Sequence, residues 1–243
     1  MKTNFVYGDP MPIRAILFDL DNTLTHRDLT VQAYAQYLTT IYAQSLRQQD
    51  TQKVIEIIRR IDHGGYPKRE LLTQPTIGGS VADALLSTLD WHIAPDLETL
   101  TQFWFEHFGR HAVAMPEAEK LLQQLKHQGY CLAVVSNGGH ATRLAILEGL
   151  GFTQYFDVIV SSGLVGQAKP HADIFLYAVD QLGVEVEECI FIGDHPMNDV
   201  QGAAEAGMQA IWFEGFHTGH SVDVPHFRIQ HLNQIHEILQ RIE

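Results

Sequence analysis

Two carboxylates one residue apart, Asp19 and Asp21, close the apolar run Ile13-Arg14-Ala15-Ile16-Leu17-Phe18. The run reads as a buried strand, which puts both acids at its C-terminal end. In an open parallel α/β sheet, ligands bind along that edge. Neither acid suits a core, because an unpaired buried carboxylate is costly; a bound divalent cation would lift the cost. Three more polar stations follow along the chain. Ser136-Asn137-Gly138-Gly139 comes after an apolar run that ends at Val135, Ala168-Lys169-Pro170 precedes a helical pattern, and Gly193-Asp194-His195-Pro196-Met197-Asn198-Asp199 follows a run that ends at Ile192. A hydroxyl, an ammonium and four carboxylates gathered at one sheet edge suit the transfer of a negatively charged group.

The elements that must gather them alternate. The expected strands are Ile13–Phe18, Tyr130–Val135, Phe156–Ser161, Cys189–Ile192 and Gln209–Phe213. The expected helices include Met115–Gln128, with Pro116 in its first turn and Gly129 after its end, His171–Leu182, and Val200–Ala206 before Gly207. Strand–helix–strand order with right-handed crossovers predicts a parallel sheet. The order breaks between 25 and about 110, where apolar stripes at helical spacing replace strands: Val31/Tyr34/Leu38/Ile41/Tyr42, Val54/Ile57/Ile58/Ile61, Val81/Leu85/Leu89 and Leu97/Leu100/Trp104. Loops are expected at His63-Gly64-Gly65-Tyr66-Pro67 and at 74–79. An insert this long reads as a subdomain over the strand ends. The division is therefore 1–24 with 108–243 for the α/β core and 25–107 for a helical cap. The fold class is a Rossmann-like three-layer α/β/α sandwich with an inserted helical bundle.

The 243 residues, 45% hydrophobic, suffice for a large core. A formal charge of −13 disfavours nucleic acid polymers and anionic membrane surfaces as partners. Cys131 and Cys189 fall at strand starts and read as buried apolar residues without a disulfide. Met1 to Phe5 opens no apolar leader, and no run is long enough to span a bilayer, so the expectation is a soluble, cytoplasmic protein. Fourteen histidines include no His-Glu-x-x-His, and the pairs His217/His220 and His226/His231 fall in a region expected to be loop. Trp91, Trp104, Phe103, Phe105 and Phe108 are expected to build the helical layer, and Lys68 and Arg69 to be solvated charges.

In type, order and position these stations resemble the motifs of the haloacid dehalogenase-like hydrolase superfamily, in the branch whose helical cap is inserted after the first motif. The motifs span residues 13–199, so the resemblance covers nearly the whole chain. It implies a phosphoric monoester hydrolase acting on a small phosphorylated metabolite, with Asp19 as the nucleophile that forms an aspartyl-phosphate and Asp21 as the general acid and base. Leu20, Ser136, Asn137 and Lys169 would hold the phosphoryl group, and Thr23 would order the first motif. Mg²⁺ would be held by Asp19, Asp194 and the backbone carbonyl of Asp21. Asp199 would ligate it, reach it through water, or hold Lys169, and it could also cap the following helix. His195 fits a structural role better than a substrate contact. The same core also serves phosphomutases on sugar phosphates and 2-haloacid dehalogenases; Asp21 speaks against the latter. Substrate identity and the choice between monomer and homodimer stay open.

Overall fold

The computed structural model describes residues 12–217 and 221–242. Met1 to Phe5 and His220 lie outside the described residues. Among the described residues six parallel strands form one sheet in the order β3-β2-β1-β4-β5-β6. They are β1 (Ala15–Phe18), β2 (Cys131–Ser136), β3 (Val158–Ser161), β4 (Cys189–Gly193), β5 (Gln209–Phe213) and β6 (Phe227–Ile229). β1 lies inside the sheet between β2 and β4: all four of its residues are fully buried and its side chains divide between two apolar layers. Ile16 and Phe18 pack with Leu121, Leu122, Leu125, Ile146, Leu147 and Ile238 on one face. Ala15 and Leu17 pack with Ile174, Phe175, Ala178 and Ala203 on the other. This is a three-layer α/β/α sandwich, with α5 (Ala118–His127), α6 (His140–Leu150) and α10 (Ile235–Ile242) on the first face. The short α7 (Ser162–Val165) follows β3, and α8 (Ala172–Leu182) and α9 (Gly202–Glu205) cover the second face.

Between β1 and β2 lie α1 (Arg27–Ile41), α2 (Thr51–Asp62), α3 (Ile77–Thr88) and α4 (Leu97–His107). Side-chain oxygens of Asp50, Thr76 and Asp96 accept backbone N–H groups in the first turns of α2, α3 and α4. The four apolar stripes meet in a cluster separate from the sheet, with Tyr34, Ile58, Leu85 and Trp104 inside it. Phe108 stacks on Trp104 in that cluster, with ring centroids 4.1 Å apart. Gly78 sits where a Cβ would strike the Trp104 ring, so α3 and α4 approach at a residue without a side chain.

Several boundaries differ from the sequence expectation for local reasons. Glu117 adopts φ +67°, so α5 starts at Ala118 and Pro116 stays outside it. α3 begins at Ile77, inside the segment expected to be loop, because Thr76 caps it. Ile41, read as part of a buried stripe, is half exposed at the end of α1, and Phe105 points outward from α4. Cys131 is only partly buried; Cys189 is buried, and both are free thiols. The region of His226 and His231 holds β6, a three-residue strand too short for alternation to register, and α10 follows it. Among the described residues no helix is long and apolar enough to cross a membrane.

Candidate active site

Strand register builds the site. β1 is in step with both neighbours, Phe18 lying beside Val134 of β2 and Ile192 of β4. The residues just past these positions therefore share one edge. The Asp19 N–H extends the ladder by donating to the Ile192 carbonyl at 2.8 Å. The loop before α8 brings Lys169 to the same edge. Its backbone N–H donates to Asn137 Oδ1 at 2.8 Å, and Asn137 Nδ2 donates back to the Lys169 carbonyl at 3.1 Å. The Asn137 side chain thus ties two loops together and is spoken for.

Lys169 Nζ lies 2.6 Å from Asp19 Oδ1 and 2.6 Å from Asp199 Oδ1. Asp19, Asp194 and Asp199 each turn an oxygen to a common point, these atoms lying within 4.8 Å of one another. Asp199 reaches it from a wide-turned π-helix, Pro196–Gln201, where α9 was expected to begin. His195 caps that helix, its Nδ1 accepting from Met197 N–H and Asn198 N–H at 3.2 and 3.1 Å. Asp199 Oδ2 accepts the His195 N–H at 2.9 Å, and a Cβ on Gly193 would collide with the Asp199 side chain. Gly193 is what lets the acid lie against the strand end. Ser136 and Leu20 are buried beside Asp19 and Asp21. The Leu20 carbonyl accepts the N–H groups of Leu24 and Thr25, both at 2.9 Å, which coils the loop after β1.

Thr23 does not order the first motif by side-chain bonds as expected: its Oγ1 is buried without a partner. Thr25 takes that place, donating to the Leu20 carbonyl at 3.1 Å. Five residues around the carboxylates were not anticipated. Arg143 Nη1 donates to Asp21 Oδ2 at 2.5 Å and Arg27 Nη1 to Asp21 Oδ1 at 2.9 Å. Arg27 also pairs with Asp62. Tyr66, from the loop after α2, donates its hydroxyl to Asp194 Oδ1 at 2.9 Å, and His217 Nε2 lies 3.2 Å from Asp194 Oδ2. Arg27, Asp62 and Arg143 each occupy a buried-face position of a helix whose neighbours three or four residues away are apolar, which is the signal that could have found them. Tyr66 and His217 sit in loops and carry no such signal. Lys68 and Arg69 are exposed, as expected.

Burial pushes the Asp19 carboxyl up to about 7, against the pull of Lys169 and with a further push from Asp199. Burial raises Asp194 and Asp199 as well. Asp21 is held down to about 2: burial alone would raise it, and Arg27 and Arg143 outweigh that burial. The Tyr66 hydroxyl is raised by burial and by the surrounding carboxylates, so it stays a donor. A raised carboxyl makes the folded protein bind a proton that the unfolded chain releases. Its stabilising effect is complete below the unfolded value near pH 4 and is lost as pH rises through about 7. Asp21 acts oppositely, but only at more acid pH. The Tm of the protein in EDTA is therefore expected to fall between pH 6 and pH 8. Thermal scans at both pH values check this; a flat or rising metal-free profile would refute the electrostatic account.

The chemistry of this donor set fits a hard divalent cation. Asp19 Oδ2 is buried with no hydrogen-bond partner, and the convergent donors are all carboxylate oxygens. The free space beside them, bounded by Asp19, Asp21, Tyr66, Ser136 and Lys169, is about 30 Å³, room for roughly two waters. A cavity of about 220 Å³ adjoins it behind Asn22, Arg27, Gly64 and Tyr66. The groove of about 460 Å³ between α5 and α10 is lined by Gln123, Gln124, His127 and His236 and has no carboxylate, so size alone does not mark the chemistry.

A family model described as haloacid dehalogenase-like hydrolase matches residues 13–207. The chain is 37% identical over 99 residues to a phosphoserine phosphatase of Thermus thermophilus, covering 41% of this chain and 40% of that one. It is 28% identical over 137 residues to the human N-acylneuraminate-9-phosphatase, covering 55% of each. The chain thus spans about half or less of the length of these curated relatives. Among solved structures, a HAD-hydrolase of Bacillus subtilis, YfnB, bound to magnesium, superposes with a TM-score of 0.68 at 22% identity, over 94% of this chain and 99% of that one. That likeness shows the fold.

Proposed function

The chain belongs to the haloacid dehalogenase-like hydrolases, and from that premise we propose that it is a Mg²⁺-dependent phosphatase for a small phosphorylated metabolite. The observation that carries the proposal is Asp19: a buried carboxylate with one oxygen on the Lys169 ammonium at 2.6 Å and the other unpartnered beside two more carboxylates. A residue so placed is a nucleophile held against a charge-neutralising group. The names of its relatives, which include phosphoserine and N-acylneuraminate-9-phosphate, support the substrate class rather than one member of it.

Asp19 attacks phosphorus as the ester P–O bond breaks, and the bond's electron pair leaves on the alcohol oxygen. That oxygen takes a proton from Asp21. Water then attacks the aspartyl-phosphate and gives a proton to Asp21, which releases inorganic phosphate and restores Asp19. In the state described, Asp21 is ionised between two guanidinium groups, the form a base needs. To act first as an acid it must be relieved of one of them, and a phosphoryl group beside Ser136 competes for Arg143, whose Nη1 is already 3.4 Å from Ser136 Oγ. Lys169 neutralises charge on the transferred group. Asp19 and Asp194, with the Asp21 carbonyl, would hold the cation, and Asp199 would fix Lys169 or join them. When bound, the cation offsets repulsion between carboxylate and phosphate. Residues 25–107 act as a cap: the space beside Asp19 admits no phosphoryl group until the loop carrying Tyr66 withdraws, and its return excludes water.

Inorganic phosphate release from 4-nitrophenyl phosphate and a panel of phosphorylated metabolites, with Mg²⁺ and with EDTA, tests the proposal. Turnover is expected only with the metal. No phosphate from any member of the panel in Mg²⁺ would reject the reading.

A further inference from the structure

Asp21 is gripped at both oxygens, once from each part of the molecule. Arg143, in the first turn of α6, holds Oδ2 from the sheet layer. Arg27, the first residue of α1, holds Oδ1 from the helical layer. Arg27 turns its other donors, Nε and Nη2, onto Asp62 at the end of α2, at 3.0 and 2.5 Å. Its guanidinium lies over the Phe108 ring, 4.5 Å from the centroid. Asp62 Oδ2 in turn accepts the backbone N–H of Gly65 at 3.1 Å, in the loop that roofs the carboxylates. Gly65 packs so closely on the site that a Cβ there would stand 3.3 Å from Asp21 Oδ2. The same loop is tied down again where Asn22 Nδ2 donates to the Gly64 carbonyl at 3.1 Å. Arg27 and Asp62 are 3% and 1% exposed, so the ion pairs of this chain of contacts are buried, while its bonds to the roof loop are half-buried.

We propose that Asp62 is a positioning residue for Asp21. Through the planar fork of Arg27 it couples the seating of the roof loop to the orientation of the carboxylate that protonates the departing alcohol. The inference rests on the phosphatase reading. A bidentate carboxylate on Nε and Nη2 fixes the plane of a guanidinium, and Nη1, the remaining nitrogen, is then held in one position with its donors in that plane. A pair that only held α1 to α2 would need neither the third contact to Asp21 nor the bond to the roof. Asn at position 62 keeps the volume and one acceptor, but it loses the second anionic oxygen that holds the fork in plane.

The test is kcat/KM for a series of para-substituted phenyl phosphates, from phenyl phosphate to 4-nitrophenyl phosphate. The series is run on wild type, Asp62→Asn, Asp21→Asn and the double variant. A nitrophenolate departs without a proton, whereas an unactivated phenolate needs one. Asp62→Asn is expected to lose roughly 30-fold on phenyl phosphate, a part of the 10²–10⁴ that a positioned acid supplies, and about three-fold or less on 4-nitrophenyl phosphate. The double variant is expected to be no slower than Asp21→Asn alone, since residues that act through one another are not additive. Equal losses across the series, or additive losses in the double variant, would leave Asp62 a purely structural residue while the phosphatase reading stands. If wild type hydrolyses neither these esters nor any member of the metabolite panel, both fall; if it turns over a panel member alone, the double-variant comparison is made on that member, and additive losses there overturn the inference. Should Asp62→Asn not fold, Arg27→Lys keeps the charge without the fork and must show the same steepened dependence on the leaving group; a parallel loss there overturns the inference.

Discussion

Asp19→Asn is expected to lower kcat by roughly 10⁴-fold or more, the scale on which loss of a covalent nucleophile is felt, without unfolding the protein. Asn is nearly isosteric and can still accept from Lys169 Nζ through its amide oxygen. It removes one of three buried carboxylates that push each other toward protonation, so the metal-free Tm at pH 8 should not drop. Steady-state phosphate release, far-UV circular dichroism and intact mass on the same preparation check the result. The mass measurement matters because deamidation of Asn restores Asp. Substantial turnover in a folded, undeamidated sample would remove Asp19 from the role of nucleophile.

The second large effect is expected at Lys169. Its ammonium is buried between Asp19 and Asp199, and both carboxylates draw its pKa upward against the effect of burial. Lys169→Met fills much of the volume and leaves two anions facing each other. Breaking a buried pair by removing one partner costs about 3–5 kcal/mol, which for a chain of this size lowers Tm by roughly 10 °C. Activity should fall about 10²–10³-fold, as when a preorganised charge is removed from a transferred group. The orphaned acids can relax by taking up a proton, so the stability deficit should be larger at pH 8 than at pH 6. A variant as stable as wild type at pH 8 would mean that the ammonium does not compensate the carboxylates.

What was legible in the sequence follows the strength of local periodicity. β1, β2, β4 and β5 are apolar runs of four to six residues bounded by polar stations, and the parallel sheet follows from their alternation with helices. The four helices between β1 and β2 appear because each has an apolar stripe. β6 was hidden because three residues give no alternation, and α10 because its pattern follows a polar stretch rich in histidine. Asp19, Asp194 and Lys169 announce themselves at strand ends and before a helix. Arg27, Asp62 and Arg143 were written in a subtler way. Arg27 is four residues before Val31, Asp62 four after Ile58, and Arg143 three before Ile146, so each is a charge on a face that must be buried. A charge there demands a partner, yet one sequence cannot say that two of these partners are the same carboxylate, Asp21. The tying of Asn137 to the Lys169 backbone and the fall of Tyr66 onto Asp194 depend on loop paths that no periodicity encodes.

The strand order carries a consequence for synthesis. β1 emerges first but lies in the middle of the sheet, and its neighbours are β2, more than a hundred residues later, and β4, near residue 190. A nascent chain that stops short of β4 leaves one side of a wholly apolar strand without hydrogen-bond partners, an open edge of the kind that recruits other chains. The intervening helices can satisfy their own apolar cluster from nearby sequence and so need not wait for the sheet. Fragments ending within the first three quarters of the chain should thus be both inert and prone to aggregate, since the same closing strand completes the hydrogen bonding of β1 and delivers Asp194 to its edge.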